Sequence, residues 1–370
     1  MARTRGIPVI DLFAGAGGLG IGAGQAGCDV RASVELDQHA CDTLRLNRAT
    51  HGEVVQADVS TLSGDGLREA GGLSPSDPLI VVGGAPCQPF SKAAYWVETG
   101  EESRYRRARA AGEVLVRPAA PTQARPDERR TLVEEFWRLI YESNADGFVF
   151  ENVPSIRHPR NKPVLDGFRQ AALDAGYEVT ETLGNAARFG VAQTRERVFL
   201  LGSRKRKPVA PLPTHLVGRE VSEGLKPTVT AREALHGLDG ADFFEPEEVV
   251  SGRWAEHLRT VPPGSNYKAH TSWAGHPEPS FVTETRFWNF LLKLDPERPS
   301  WTIAASPGPW TGPFHWDTRR LRTVEMAALQ GFPRGYQLSG PRRERVRQIG
   351  NAVPPPMAAA MARSVLEAVA

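Results

Sequence analysis

The chain has 370 residues, room for two domains at the usual size of about 100–200 residues per hydrophobic core. Its 40% hydrophobic and 24% charged residues are those of an ordinary globular protein, and no apolar run approaches the roughly 18 residues of a membrane span, which excludes a membrane protein. Forty-five Lys and Arg against 43 Asp and Glu leave a net charge of +2, so a polyanionic partner must be argued from local basic runs, not from the total.

The opening, MARTRGIPVIDLFAG, passes from a short basic tail directly into a strand pattern. It has no apolar stretch or small-residue cleavage site of a signal peptide, so the expected location is cytoplasmic. Cys28, Cys41 and Cys87 form neither a CxxC pair nor an even disulfide framework and are expected to be free thiols. No Cys/His cluster has zinc-ligand spacing, so no metal is expected.

Between residues 7 and 205 seven strand-like runs alternate with helix-like stretches: IPVIDLF, CDVRASVEL, EVVQADV, PLIVVGG, GFVFENV, YEVTETL and RVFLLGS. Such alternation predicts an α/β fold with a doubly wound, mostly parallel sheet. Ligands in such folds bind beyond the carboxyl ends of the strands, so the residues that follow each run carry the functional reading.

After the first run, DLFAGAGGLG sets Gly15, Gly17 and Gly20 at GxGxxG spacing, where the backbone turns sharply and approaches a ligand at the next helix's N-terminus. A tight turn without ligand, or a dinucleotide site, has the same spacing. Glu35 ends the second run, where an acid accepts ribose hydroxyls, and Asp58 ends the third, where it accepts an adenine amino group. Three strand ends thus converge on a nucleoside.

GGAPCQPFS follows PLIVV and puts Cys87 on a proline-stiffened loop above the sheet, an unusual place for the buried, inert cysteine that is the commoner case. ENVPS puts Glu151 at a neighbouring strand end. QTRERVFLLG places Gln193, Arg195 and Arg197 at alternating positions, so that the three share one face.

Beyond residue 203 the chain turns rich in Pro, Gly, Trp and His with little helical period. The expected organisation is a first domain over 1–203, a smaller loop-rich domain over 204–335, and a hinge with a C-terminal helix over 336–370 that returns to the first domain. TVEMAALQGF reads as a helix, and PPPMAAAMARSVLEAVA sets prolines ahead of an alanine-rich one. The Arg/Ala/Pro stretch 104–130 is the candidate for a mobile insertion.

DLFAGAGGLG, VELD, ADVS, GGAPCQPFS, ENVPS, QTRERVFLLG, RPSWTI, TVEMAALQGFP and GNAVPPPMA resemble, in this order, the motif series of bacterial C5-cytosine DNA methyltransferases. The resemblance covers residues 8 to about 203 and 298 to 370. It implies a Rossmann-like methyltransferase domain with a target-recognition domain, S-adenosylmethionine as cofactor, and double-stranded DNA as substrate. Cys87 would add to carbon 6 of cytosine, making carbon 5 nucleophilic. Glu151 would hold or protonate N3, Asn152 would orient the Cys87 loop, Arg195 would bind O2 of the base, and Arg197 would fix Glu151. The cofactor would meet Phe13, Ala14, Gly15, Gly17, Gly18, Glu35, Leu36, Asp58, Pro86 and Asn351. DNA would meet Gln88, Ser91, Gln193, Arg104 and Arg106, and the target base would flip out of the duplex. A monomer, paired with a restriction endonuclease, is the expected setting.

The sequence departs from the family in two places. DERRTL has Arg130 where glycine is usual, and the 92–126 loop before it is long and carries RYRRAR, which suits phosphate contact. Residues from about 208 to 297, with Trp254, Tyr267, His270 and Trp273, match no motif, so the recognised sequence cannot be derived from them. Two alternatives stand beside this reading. Transfer to cytosine in tRNA uses a similar motif set, although the sizeable region after 203 favours DNA. A DNA-binding chain without catalysis is the other, and retention of Cys87, Glu151, Arg195 and Arg197 argues against it.

Overall fold

The computed structural model describes residues 6–90, 104–105, 108, 113–116, 127–218 and 222–370. Each of the seven strand-like runs forms a strand: β1 (Pro8–Leu12), β2 (Asp29–Glu35), β3 (Glu53–Gln56), β4 (Ile80–Gly83), β5 (Gly147–Asn152), β6 (Glu178–Asn185) and β7 (Glu196–Ser203). They make one sheet in the order β3-β2-β1-β4-β5-β7-β6. β3, β2, β1, β4 and β5 pair in parallel, whereas β7 runs antiparallel to both β5 and β6. The reversal follows from the short connection between β6 and β7, which has only a single 3-10 turn at Ala186–Phe189. A parallel crossover needs about a dozen residues and usually a helix.

β4 and β5 are buried at every position, as central strands covered on both faces must be. Alternate residues feed two cores: Phe148 and Phe150 join Phe136 and Phe168 on one face, while Val149 joins Phe199, Met357 and Val365 on the other. Met357, Met361 and Val365 belong to the C-terminal helix Pro355–Val369, which packs against the helix Gly18–Ala26 and against β5 and β7. Gly22 permits the close approach, since a Cβ there would lie 2.4 Å from that of Ala358. Burying each of those three side chains stabilises this docking by about 1.5–3 kcal/mol.

Residues 250–314 hold a small core of their own, built on Leu258, Val261, Tyr267, Phe281, Leu291 and Phe314. A further cluster joins Leu294, Ile303, Leu321, Leu329 and Ile349 to Ala16 and Ile21 beside the glycine turn. The segment after about 294 therefore shares a core with the first part of the chain. No helix among the described residues is long and apolar enough to cross a membrane.

Candidate active site

The carboxyl ends of β1 to β5 and the start of β7 surround a cavity of about 630 Å³. One side is built by the glycine turn. Phe13, Gly15 and Gly17 all take left-handed backbone conformations, with φ of 54°, 55° and 77°. For a bulky residue such as Phe13 this costs on the order of 1–3 kcal/mol, and it persists because the surroundings fix it. Gly17 and Gly18 leave no room for a side chain, since a Cβ would come within 2.1 Å of the His51 ring or of the Val353 carbonyl respectively. At Gly15 the nearest atom to such a Cβ would be 4.0 Å away, so this peptide lies open to a ligand.

Glu35 secures the turn. Its Oε2 accepts from the Gly15 N–H at 2.8 Å, and its Oε1 accepts from the N–H groups of Leu36 and Asp37, each at 2.8 Å. Asp58 accepts the N–H and the hydroxyl of Ser60 on one oxygen, Oδ1, and these bonds hold its carboxyl below the usual carboxylate range. Of the residues expected at the cofactor, Phe13, Ala14, Gly15, Gly18, Glu35, Leu36, Asp58, Pro86 and Asn351 all line this one cavity. Gly17 lies behind it, against His51. A backbone open to close approach, two acids at strand ends and an aromatic ring together suit an adenosyl group.

The other side of the cavity holds Cys87, Gln88, Glu151 and Arg197. Glu151 is 7% exposed, and its Oε1 accepts from Arg197 Nε at 2.8 Å. Burial pushes its carboxyl upward, and the charges of Arg197 and Arg195 oppose that shift. Burial and then the Glu151 carboxylate push the Cys87 thiol upward, while Arg197 and Arg195 pull it down. Asn152 is fully buried, donates from Nδ2 to the Ala85 carbonyl at 3.1 Å, and accepts the Val153 N–H at 2.9 Å. It thereby anchors the loop two residues ahead of Cys87.

Two expected contacts are placed differently. Gln193, expected at DNA, is wholly buried; its Nε2 donates to Gln330 Oε1 at 2.6 Å and its Oε1 accepts the Ile303 N–H at 3.3 Å. Arg195, expected on the base, is 1% exposed and absent from the cavity lining; its Nη1 and Nη2 donate to the carbonyls of Ile303 and Gly350 at 3.2 and 2.6 Å. The reason is tertiary. Residues 300–303 run alongside 192–194, with Thr194 N–H donating to Ser300 and Ser300 N–H to Ala192, both at 2.8 Å, and they cover that face. Only Arg197 reaches the cavity. Gln88 and Arg104 are exposed, whereas Ser91 and Arg106 lie outside the described residues.

Some lining residues carried no sequence signal of a site. Arg347, from the run RRERVR, lines the cavity and donates to Asp37 Oδ2 at 2.8 Å. Arg130, the departure from glycine, lies outside the cavity lining; it stands 4.9 Å over the Phe90 ring and donates to Asn161 at 2.9 Å.

Residues 7–367 match the profile of the family described as C-5 cytosine-specific DNA methylase. The chain belongs to this family. It is therefore a DNA (cytosine-5-)-methyltransferase. It is 37% identical to the type II methyltransferase M.SacI of Streptomyces achromogenes over 98% of this chain and 93% of that protein. It is 29% identical to M.NgoFVII of Neisseria gonorrhoeae over 97% and 86% respectively. Its fold is similar to that of a putative DNA modification methyltransferase encoded within an E. coli prophage (TM-score 0.68, 22% identity, 98% of this chain and 99% of that one). It is also similar to S. pombe Dnmt2 methyltransferase (TM-score 0.58, 14% identity, 98% and 99%).

Proposed function

We propose that this methyltransferase uses S-adenosylmethionine to methylate one cytosine within a specific duplex sequence, flipping that base into the cavity and attacking its carbon 6 with Cys87. The observation that carries the reading is that Cys87, Glu151 and Arg197 share one cavity with the glycine turn, Glu35 and Asp58. Flipping is needed because a stacked cytosine cannot present carbon 6 to a thiol at the bottom of a crevice. S-adenosylmethionine, when bound by the glycine-turn side, supplies an electrophilic methyl group.

The Cys87 thiolate donates an electron pair to carbon 6, and the ring electrons move toward N3 and carbon 5. Glu151, whose carboxyl is pushed toward its neutral form by burial, delivers a proton or hydrogen bond at N3 and offsets the charge that develops there. Arg197, held by Glu151 and lining the cavity, meets O2 of the base in place of Arg195, which braces the site from behind through Ile303 and Gly350. Asn152 keeps the Cys87 loop in position through Ala85. After carbon 5 takes the methyl group, leaving the cofactor as S-adenosylhomocysteine, a base such as water removes the carbon 5 proton, N3 gives its proton back to Glu151, the carbon 5–carbon 6 double bond re-forms, and the Cys87 sulfur leaves as thiolate.

Residues 204–335 read the DNA sequence in this proposal, and the 92–126 loop contacts phosphates. The chain acts as a monomer in the cytoplasm, and the names of its type II relatives support a pairing with a restriction endonuclease. The test is duplex DNA whose target cytosine carries fluorine at carbon 5. Fluorine does not leave as a proton does, so wild-type protein with S-adenosylmethionine should form a denaturation-resistant complex. Cys87→Ala should form none, and Glu151→Gln should form it about 10²–10⁴ times more slowly. A stable complex with Cys87→Ala, or a crosslink mapped to Cys28 or Cys41, would overturn the assignment.

A further inference from the structure

Asp11, His51 and Tyr336 form a buried polar cluster directly beneath the glycine turn, and none of the three lines the cavity. Asp11 and His51 are wholly buried and Tyr336 is half-buried. Each holds the turn at a different atom. Asp11 Oδ2 accepts the Gly20 N–H at 2.9 Å, Tyr336 donates its hydroxyl hydrogen to the Ala16 carbonyl at 2.7 Å, and the His51 ring fills the space under Gly17.

The cluster is also joined internally. His51 Nε2 lies 2.8 Å from the Tyr336 hydroxyl. Because that hydroxyl spends its hydrogen on Ala16, it accepts from His51, which puts the ring hydrogen on Nε2 and leaves Nδ1 as a bare acceptor. His51 Nδ1 and Asp11 Oδ1 are buried and lack partners among the described residues. A Cβ on Gly20 would lie 3.1 Å from Asp11 Oδ2 and 3.2 Å from His51 Nδ1, so these two groups border the space that the missing side chain leaves. Burial holds His51 down to about 4 and, with Glu35 adding repulsion, pushes Asp11 up to about 8. At neutral pH the cluster is thus uncharged: an acid that can donate beside an imidazole nitrogen that can accept.

We propose that His51 and Tyr336 are positioning residues for cofactor binding, which together with Asp11 lock the 14–20 turn into its binding shape from the side opposite the ligand. The left-handed conformations of Phe13, Gly15 and Gly17 are the reason a lock is needed, because an unsupported turn populates many other shapes. Tyr336 brings the support from a segment 285 residues away from His51, so the turn is complete only when the far end of the chain has docked. This inference rests on reading the cavity as an S-adenosylmethionine site.

The experiment is calorimetric titration of the full-length protein with S-adenosylhomocysteine, accompanied by thermal melting. Wild type should bind, and Tyr336→Phe, which keeps the ring and loses the hydroxyl with its bonds to Ala16 and His51, should bind roughly 10- to 100-fold more weakly, as the loss of two such hydrogen bonds implies. At saturating cofactor its turnover should stay close to wild type, a split in KM against kcat that general destabilisation does not give. His51→Gln should weaken binding by less, about 3- to 10-fold, and combining it with Tyr336→Phe should add little, since the His51–Tyr336 bond is already lost with the hydroxyl. Affinity of the wild type should fall above about pH 8 as Asp11 ionises beside Glu35, and Asp11→Asn should flatten that dependence. Wild-type affinity in both folded single variants would overturn the proposal; should Tyr336→Phe not fold, His51→Gln decides alone. Failure of folded wild type to bind S-adenosylhomocysteine would instead overturn the reading of the cavity.

Discussion

Arg197 Nε donates to Glu151 Oε1 at 2.8 Å while only 11% and 9% of the two side chains meet solvent. Removing one partner of such a withdrawn pair leaves the other charge unpaired, which typically costs about 3–5 kcal/mol, whereas replacing both avoids that penalty. Arg197→Met should therefore lower the urea midpoint clearly, and adding Glu151→Gln should recover much of the loss. Activity should be lost in both. A double variant no more stable than Arg197→Met would show that the pair is not what holds these side chains.

The same carboxylate raises the Cys87 thiol, and the two arginines lower it. Glu151→Gln removes a raising influence and leaves both lowering ones, so the thiol should ionise at lower pH. The thiolate is the reactive form, so Cys87 should be alkylated by iodoacetamide faster in Glu151→Gln than in wild type at pH 7 to 8, even as methyl transfer slows. Mass spectrometry of the modified peptide distinguishes Cys87 from Cys28 and Cys41, both of which burial pushes up to about 11. Slower alkylation of the variant would contradict the electrostatics of the site.

Asp11 should make stability fall as pH rises. Its carboxyl titrates near 3.8 when unperturbed and is pushed up to about 8 by burial, so between these values the native state holds a proton that the unfolded chain has lost. Its contribution is thus fully present below about pH 4 and is lost progressively up to about pH 8. Asp11→Asn cannot ionise, so its melting temperature relative to wild type should climb across that window. A difference that does not change with pH would mean that Asp11 is charged in the native protein.

Gln193→Ala should act on stability and not on target choice. Its amide bonds Gln330 and the Ile303 N–H in a fully buried setting, so truncation leaves both without it, at a cost of about 1–3 kcal/mol. Denaturant unfolding should show this loss, while bisulfite sequencing of DNA from a host expressing the variant should return the wild-type methylated sequence. A changed sequence would restore Gln193 to the DNA surface.

Local pattern sufficed for the seven strands, for the glycine turn and for Cys87 and Glu151 at strand ends, because strand alternation and the position just after a strand are properties of neighbours in the chain. It also made Gln193, Arg195 and Arg197 look equivalent, since all three alternate on one face. Their division was decided by tertiary structure: residues 300–303 pair with 192–194 and seal Gln193 and Arg195 from the cavity, leaving Arg197 beside Glu151. The turn of β7 against its neighbours and the meeting of Asp11 with His51 and Tyr336 are of the same kind. A period of two residues says that a strand has two faces, but which face meets solvent, ligand or another segment depends on chain that arrives from a hundred or more residues away.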